Sequence, residues 1–382
     1  MKRILVVVGT RPEAIKMAPL IKRLRDQDWC ETIVVATAQH RELLDQVFAL
    51  FGIKADADLD IMRPGQSLAQ VTSRLFDKLD TVMDTYQPDM VLAQGDTTTV
   101  MVAALIAFYR QIPFGHVEAG LRTNDLLNPF PEELNRVIAG RVARLHFAPT
   151  ATAAAALKAE ATPEDSIFVT GNTVVDALLD VAAAPPALPV EIPEGSRVIL
   201  LTTHRRENFG KAHADVFEAI RQIVAKHADV HVIFPVHPNP NVRAMAKDML
   251  GCEPRIHLTE PLGYGELVAA LKSATLVLTD SGGIQEEAPV LAKPVLVLRS
   301  ETERPEAVQA GVARLLGTDC QRIIAEASRL LNDPEAYAGM ARSISPYGDG
   351  MASNRIISVL RSAMLGEPMA FQEFAPKMAA YA

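Results

Sequence analysis

The sequence predicts a two-domain α/β protein in which each domain contains a doubly wound parallel sheet. The chain has 382 residues, whereas single hydrophobic cores stop growing at roughly 250 to 300 residues. Short apolar runs alternate with longer amphipathic segments along the chain, a rhythm typical of buried parallel strands that helices cover on both faces. We therefore predict two Rossmann-like halves, one over residues 1–170 and the other over residues 171–354.

Six apolar runs of the first half predict its strands. They are, in order, ILVVVG, TIVVAT, MVLAQGD, FGHVEAG, LHFAPT and IFVTGN. Amphipathic segments over residues 14–26, 41–51 and 98–109 predict helices between these strands, and an alanine-rich helix follows the fifth run.

The second half repeats the same rhythm after a proline-rich connection. Its predicted strands are VILLTTH, VHVIFPVH, IHLTE, LVLTDSGG and PVLVLR, and its predicted helices cover residues 215–226, 242–250, 264–272, 285–291 and 314–331. The connection, AAAPPALPVEIPEGS, has four prolines within residues 185–193, which favours an exposed linker over an element interior. Functional residues of such folds collect at the carboxyl edge of each sheet, so we expect an active site in the interdomain cleft.

The composition excludes several classes of protein. The chain is 49% hydrophobic and 22% charged, which is ordinary for a globular protein and argues against disorder or a disulfide scaffold. A net charge of −8 disfavours a general nucleic-acid binder. The cysteines Cys30, Cys252 and Cys320 have no metal-ligand spacing. No apolar run approaches the roughly 20 residues that a membrane span needs, so we expect a cytoplasmic protein without membrane, nucleic-acid or metal partners.

The motif GTRPEAIK follows the first strand directly and begins the first helix, with Pro12 near its start. Backbone amides at a helix N-terminus, together with Arg11 and Lys16, could hold a phosphate or carboxylate. An ordinary strand-to-helix turn with solvated charges is the alternative interpretation. The motif lacks the G-x-G-x-x-G pattern, so no dinucleotide cofactor is indicated.

Acidic residues follow the next strands of the first half. Asp96 lies in QGDTTTV, Glu118 in HVEAGLRT, and Glu132 and Glu133 in NPFPEELNR. Asp96 could simply cap the next helix, but three acidic positions on one sheet edge exceed what capping requires. Neighbouring carboxylates raise one another's pKa, so that one can hold a proton while another stays ionised. This arrangement predicts general acid and base chemistry.

Cationic residues follow two strands of the second half. The motif TTHRRENFG places His204, Arg205 and Arg206 at the end of a strand, and TERPEAV places Arg304 after another. Clustered guanidinium and imidazole groups suit a diphosphate, although a solvated basic loop would have the same sequence.

The motif LTDSGGIQEE is the sharpest local pattern in the second half. Ser281, Gly282 and Gly283 follow an apolar strand and open a helix, so backbone amides there can approach a phosphate closely. Glu286 and Glu287, one turn later, could accept the hydroxyls of a ribose. A tight turn with a solvated acidic face is the alternative.

Taken in order, these motifs resemble the non-hydrolysing UDP-N-acetylglucosamine 2-epimerases of bacteria. The resemblance rests on GTRPEAIKMAPL, GDTTTV, HVEAGLRT, PFPEELNR, TGNTVVDAL, HRRENFG, DSGGIQEEAP, TERPEAV and PYGDG, and covers residue 1 to about residue 360. It implies a glycosyltransferase-B-like architecture whose C-terminal helix, over residues 355–382, crosses back onto the first domain. Positions that match the family's sugar and diphosphate residues are Arg11, Lys16, Asp96, Glu118, Glu132 and His204. Positions that match its UDP-binding residues are Ser281, Gly282, Gly283, Glu287 and Arg304.

The resemblance implies reversible epimerisation of UDP-N-acetylglucosamine to UDP-N-acetylmannosamine without a cofactor. UDP would leave and re-add through a 2-acetamidoglucal intermediate, with Asp96, Glu118, Glu132 and His204 as the catalytic candidates. Alternatives are a 2-epimerase of a further-modified UDP-HexNAc, a UDP-sugar glycosyltransferase, a hydrolysing relative, or a sugar-nucleotide sensor without activity.

The resemblance also implies a homodimer that serves cell-surface polysaccharide biosynthesis and is activated by its own substrate. The loop AQHRE, with Gln39, His40 and Glu42, could contribute to a second, allosteric site. A polar loop at a helix start is an equally good interpretation of these residues.

Overall fold

The computed structural model describes residues 1–37, 41–205, 210–302, 304–369 and 372–376. These residues form two compact units. Unit 1 comprises Met1–Asp180 and Tyr347–Ala375, and unit 2 comprises Val181–Pro346. Each unit contains a parallel sheet with helices between its strands, so the prediction of two doubly wound α/β domains is confirmed.

Unit 1 is built on a seven-stranded sheet with the order β3-β2-β1-β4-β5-β6-β7, and all of its strand pairs are parallel. Its strands are β1 (Lys2–Val8), β2 (Cys30–Ala36), β3 (Ala57–Asp58), β4 (Met90–Gln94), β5 (Phe114–Val117), β6 (Leu145–Ala148) and β7 (Ile167–Val169). Its helices are α1 (Arg11–Arg25), α2 (Arg41–Phe51), α3 (Leu68–Tyr86), α4 (Thr98–Tyr109), α5 (Glu132–Val142), α6 (Ala151–Ala159) and α7 (Thr173–Ala183).

Unit 2 has a six-stranded parallel sheet with the order β10-β9-β8-β11-β12-β13. Its strands are β8 (Arg197–Thr202), β9 (Val230–Pro235), β10 (Ile256–Thr259), β11 (Leu276–Thr279), β12 (Val295–Val297) and β13 (Ala313–Leu315). Its helices are α8 (Lys211–Lys226), α9 (Pro240–Leu250), α10 (Tyr264–Ser273), α11 (Gly282–Glu287), α12 (Pro305–Gln309), α13 (Cys320–Asn332) and α14 (Pro334–Met340). The last helix, α15 (Ala352–Leu365), belongs to unit 1.

Buried strands and helix faces form a separate core in each unit. In unit 1, Leu5 and Val91 from the sheet pack with Leu75 of α3 and Ala103 of α4. Helix α4 is apolar nearly all round, so its buried residues are not confined to one stripe. A helix of this kind is stable only inside the protein, which accounts for its place beside the central strands.

Local sequence signals fix several helix ends. Ser67 begins α3 because its hydroxyl accepts the Gln70 amide at 3.3 Å, and Asp319 begins α13 by accepting the Arg322 amide at 2.8 Å. The predicted helix over residues 314–331 was therefore wrong at its start, where β13 takes residues 313–315 instead. The predicted helix over residues 285–291 is also divided, because Pro289 lies in a 3-10 turn that follows α11.

Unit 1 extends to Asp180, beyond the predicted limit of residue 170, because most of α7 packs within it. The buried Asp176 carboxylate of α7 accepts the backbone amides of Ala352 at 3.2 Å and Ser353 at 2.8 Å. These amides are at the start of α15, where a helix lacks internal acceptors. Asp176 thus ties the two helices together. Among the described residues, no helix combines the length and the apolar character that crossing a membrane requires.

Replacing Asp176 with Ala should lower the free energy of unfolding of unit 1 by about 1–3 kcal/mol, because two buried amides lose their acceptor. Urea denaturation measures this change. Asp333→Ala is the matched control, since Asp333 caps α14 through two amides at 3.0 Å each but is exposed. A loss no larger than that of the control would contradict the assigned role of Asp176.

Candidate active site

The predicted residues of the first half come together at the carboxyl edge of the unit 1 sheet. Strands β1, β4 and β5 are neighbours in that sheet. The segments that follow them contain Lys16 on α1, Asp96 on the β4–α4 turn, and Glu118 directly after β5. Parallel strands end at the same edge, so residues that are far apart in sequence become neighbours there.

Glu118 is the most constrained residue of this edge. It is 7% exposed, and both of its carboxylate oxygens accept hydrogen bonds from the Lys16 ammonium group, at 2.8 and 2.5 Å. The side-chain amides of Gln94 and Asn172 also donate to this carboxylate. Its backbone φ of +62° is uncommon for a residue other than glycine, and such a conformation costs about 1–3 kcal/mol.

Lys16 therefore contacts a carboxylate in this structure. It was predicted among the residues that hold the sugar and diphosphate, and its position beside Glu118 places it at the carboxyl edge that carries the acidic candidates. Because the pair is largely buried, removing either partner would leave an uncompensated charge.

Asp96 is held by its backbone as well as by its side chain. Arg136 of α5 donates to the Asp96 carboxylate at 2.5 Å, and the Asn135 side-chain amide donates to the Asp96 carbonyl at 2.9 Å. His116 Nε2 lies 2.7 Å from the carbonyl of Gly95, which can only accept, so that nitrogen carries the hydrogen. Burial raises the pKa of Asp96, while Arg136 opposes this rise and the neighbouring Glu118 adds to it.

The two adjacent acids of α5 have different surroundings. Glu133 is fully buried, and one of its oxygens accepts the backbone amides of Thr123 at 2.9 Å and Asn124 at 3.0 Å. Its other oxygen lies 3.1 Å from Arg136 Nη1. Glu133 therefore braces the loop before α5, while the predicted catalytic residue Glu132 is the half-buried first residue of this helix.

Glu13 was not among the predicted site residues, yet it occupies the turn that was proposed to hold a phosphate. Its Oε2 accepts the backbone amides of Gly9 at 2.5 Å and Thr10 at 3.0 Å, so these two amides already have an acceptor. A threonine followed three residues later by a glutamate is a capping-box pattern, and this signal could have identified Glu13. Arg11, the predicted cation of the motif, lies at the first position of α1.

In unit 2, the predicted residues follow β8, β11 and β12. Ser281 precedes α11, and its amide donates to Thr279 Oγ1 at 2.9 Å. A Cβ on Gly282 would meet no atom within 4 Å, and one on Gly283 would meet only Ser281 Oγ, at 3.9 Å. Packing within unit 2 therefore does not require glycine at either position.

The acidic residues of α11 have partners within unit 2. Glu287 is buried and accepts a hydrogen bond from the Tyr264 hydroxyl at 2.8 Å. Glu286 forms an ion pair with Arg304, and the Arg304 amide donates to Thr302 Oγ1 at 3.0 Å. The Arg304 side chain is thus oriented by the Glu286 carboxylate, and Glu287 is oriented by the Tyr264 hydroxyl.

His204 is oriented by Asp280, a residue that the sequence prediction omitted. Asp280 is 0% exposed, and its carboxylate accepts the backbone amides of His204 and Arg205 at 3.0 Å each. His204 Nδ1 lies 3.1 Å from the same carboxylate, while the His204 side chain is exposed. Burial by itself would raise the pKa of Asp280, but the bonds from His204 and Arg205 lower it to about 2. The pair leaves His204 Nε2 as the outward-facing nitrogen.

Part of the predicted second site lies outside the described residues. This applies to Gln39, to His40 and to the side chain of Glu42, as well as to Arg206 of the basic loop. Within the described ranges, no group of three or more His, Cys, Asp and Glu side chains is placed to hold a metal ion.

Comparison with known proteins shows the family to which the chain is similar. The family profile described as UDP-N-acetylglucosamine 2-epimerase matches residues 22–361. The UDP-N-acetylglucosamine 2-epimerase of Escherichia coli K12 is 49% identical over 94% of this chain and 98% of its own, and that of Bacillus subtilis 168 is 50% identical over 94% of each chain. The crystal structure of UDP-GlcNAc 2-epimerase from Neisseria meningitidis bound to UDP-GlcNAc is 46% identical, has a TM-score of 0.84, and covers 94% of this chain and 99% of that chain.

Replacing Asp280 with Asn should destabilise the protein by about 2 kcal/mol at neutral pH, because its pKa lies near 2 in the folded state and at 3.8 otherwise. A lowered pKa stabilises the fold above pH 3.8, and this contribution disappears as the pH falls through about 2. The difference between wild type and variant should therefore shrink on acidification, as urea denaturation at several pH values measures. Asp229→Asn, in an exposed pair with Arg197, is the control with a smaller expected loss. A difference that did not vary with pH would contradict this assignment.

Proposed function

The chain belongs to the UDP-N-acetylglucosamine 2-epimerase family, and on this premise we propose that it interconverts UDP-N-acetylglucosamine and UDP-N-acetylmannosamine. The observation that carries the proposal is the pairing of buried Glu118 with Lys16 beside the desolvated Asp96. A protein that only bound its ligand would have little use for several buried acids at one sheet edge. Support also comes from the Neisseria meningitidis relative, which was solved with UDP-GlcNAc.

The reaction requires activation of a hydrogen that is not acidic by itself. The hydrogen on carbon 2 of the sugar is not adjacent to a carbonyl group, so direct removal would leave an unstabilised carbanion. Cleavage of the bond between carbon 1 and UDP gives carbon 1 oxocarbenium character and acidifies the neighbouring hydrogen. We propose that UDP is eliminated to give a 2-acetamidoglucal, and that UDP then re-adds while a proton reaches carbon 2 from the opposite face.

Proton transfer is assigned to the acids of unit 1. Glu118 has its charge compensated by Lys16, whereas burial favours the neutral form of Asp96 in spite of Arg136. Two carboxyl groups with different electrostatic surroundings are what an acid and a base acting on opposite faces need. Glu132 is the third candidate, at the start of α5 beside the buried Glu133.

Binding of the nucleotide is assigned chiefly to unit 2. Ser281, Gly282 and Gly283 offer the start of α11 to a phosphate without steric obstruction, and Glu287 is held by Tyr264 in an orientation suited to ribose hydroxyls. Arg304 and His204, each oriented by a carboxylate, would stabilise the charge that develops on the leaving diphosphate. Arg11 of unit 1 would contribute a further cation.

Epimerisation in heavy water should place deuterium at carbon 2 of the product, because a base removes that hydrogen and an acid returns a solvent proton. Substrate labelled with ¹⁸O between carbon 1 and phosphorus should also scramble the label into non-bridging positions, since UDP leaves and re-adds. Incubation of the purified protein with UDP-N-acetylglucosamine alone, followed by NMR, measures both.

Each of the other outcomes identifies a different reaction. A product without deuterium would indicate intramolecular hydride transfer, and deuterium without label scrambling would count against the elimination step. Release of free N-acetylmannosamine with UDP would indicate a hydrolysing enzyme. Unchanged substrate that reacts only when an acceptor is added would indicate a glycosyltransferase.

A further inference from the structure

Glu13 lies in a buried polar pocket beneath the turn that connects β1 to α1. The side chain is 3% exposed, and the buried hydroxyls of Thr37 and Thr99 lie on the same side of Gly9. A Cβ on Gly9 would come within 2.9 Å of Thr37 Oγ1, 2.7 Å of Thr99 Oγ1 and 3.1 Å of Glu13 Oε2. The pocket is therefore filled by the polar side chains around the turn.

The two oxygens of Glu13 are used differently. Oε2 accepts the amides of Gly9 and Thr10, whereas Oε1 is buried and makes no hydrogen bond of ordinary geometry with the described part of the chain. Thr97, whose buried Oγ1 likewise makes no such bond, is the side chain that acts most strongly on this carboxyl group. An ionised Oε1 would be a buried negative oxygen without a compensating partner, which is costly. Protonation of Oε1 removes this charge and turns the oxygen into a hydrogen-bond donor.

Capping by itself does not need an ionisable residue. At the start of α3, Gln70 Oε1 accepts the Ser67 amide at 2.8 Å, which is the contact that Glu13 makes with Thr10. A neutral amide therefore performs the same local task elsewhere in unit 1. The carboxyl group of Glu13 must be explained by its surroundings rather than by the helix start.

The surroundings of Glu13 include the proposed catalytic acid. Asp96 acts on Glu13 from the β4–α4 turn, and Asp96 itself interacts with Arg136 of α5, Glu118 after β5 and Lys16 of α1. Both cations are engaged by other carboxylates, Arg136 by Asp96 and Lys16 by Glu118. Burial raises the pKa of Glu13 to about 7. The nearby Thr97 side chain and the amides of Gly9 and Thr10 oppose this rise, and Asp96 adds to it.

We propose that Glu13 is a positioning residue that keeps its proton in the active enzyme, holding the Arg11 turn while leaving Asp96 without a second negative neighbour. The inference rests on the proposed function, in which Arg11 contributes a cation to the diphosphate. An anionic ligand there would disfavour ionisation of Glu13 further. Binding and proton uptake by Glu13 are then coupled, and this coupling is reciprocal.

Calorimetric titration with UDP-N-acetylglucosamine in buffers of different ionisation enthalpy tests the coupling. This ligand is a diester of diphosphate and has no group that titrates near neutrality, so proton uptake reports on the protein. Near pH 7, the wild type should take up protons on binding, and Glu13→Gln should take up fewer, because the amide copies the protonated carboxyl without a titratable group. Asp56→Asn is the matched control, because Asp56 also accepts a backbone amide in unit 1, from Val34 at 2.8 Å. The Asp56→Asn variant should take up as many protons on binding as the wild type.

The pH profile of kcat/KM gives a second measurement that capping alone would not change. In the wild type, kcat/KM should fall as the pH rises through about 7, and in Glu13→Gln this fall should move to higher pH while activity at lower pH is retained. Glu13→Ala, which cannot accept from Gly9 and Thr10, should lose activity throughout the range.

Equal proton uptake and superimposable pH profiles for wild type and Glu13→Gln would overturn the proposal and leave Glu13 as a simple cap. If the Gln variant does not fold, the wild type decides the question, since an absence of proton uptake on either side of pH 7 also overturns it. If the wild-type protein takes up protons on binding but leaves the sugar nucleotide unchanged, the proposed epimerisation is refuted. The proposed coupling between ligand binding and protonation of Glu13 would still stand.

Discussion

The buried ion pair between Lys16 and Glu118 is the interaction on which the arrangement of unit 1 depends. Isolated charges are costly to bury, and this pair is tolerated because the carboxylate also accepts from Gln94 and Asn172. The four residues come from α1, the end of β4, the loop after β5 and the loop before α7. The hydrogen bonds of the Glu118 carboxylate therefore fix the relative positions of four segments. A buried polar network of this kind specifies a single arrangement of the chain.

Both sheets use the same topological feature to assemble their sites. The strand order reverses between β1 and β4 in unit 1 and between β8 and β11 in unit 2, and ligands of doubly wound sheets bind at such points. Asp96 follows β4 next to the turn after β1, and Asp280 follows β11 next to His204 after β8. In unit 2, His204 is held by Asp280 from the adjacent strand end, whereas in unit 1 Asp96 is held by Arg136 and Asn135 of α5.

The sequence was sufficient for the fold class because buried parallel strands are apolar throughout. It also located the candidate site residues at strand ends, because such folds collect functional residues there, and their roles stay predictions. It was insufficient for the partners of those residues. Asp280 stands directly before the predicted Ser281, but only the pairing of β8 with β11 brings it to His204. Glu132 and Glu133 are adjacent and chemically alike. Only the path of the loop before α5 shows that Glu133 binds the loop amides, which leaves Glu132 as the candidate acid. Glu13 had a recognisable capping pattern, but its buried surroundings include Thr37 after β2 and Thr99 of α4, which are distant in sequence.

We propose that Glu118 takes part in the chemistry at this edge, where Lys16 holds it. The most direct measurement compares kcat and UDP affinity for Glu118→Gln, with Glu133→Gln as the matched buried carboxylate that braces a loop. The proposed role of Glu118 predicts a loss of kcat of about 10² to 10⁴-fold for Glu118→Gln with little change in UDP affinity. Both variants should lose stability, because each removes a buried charge that has a cationic partner, but Glu133→Gln should keep most of its kcat. A Glu118→Gln variant with the kcat of the wild type would contradict the proposed role of Glu118.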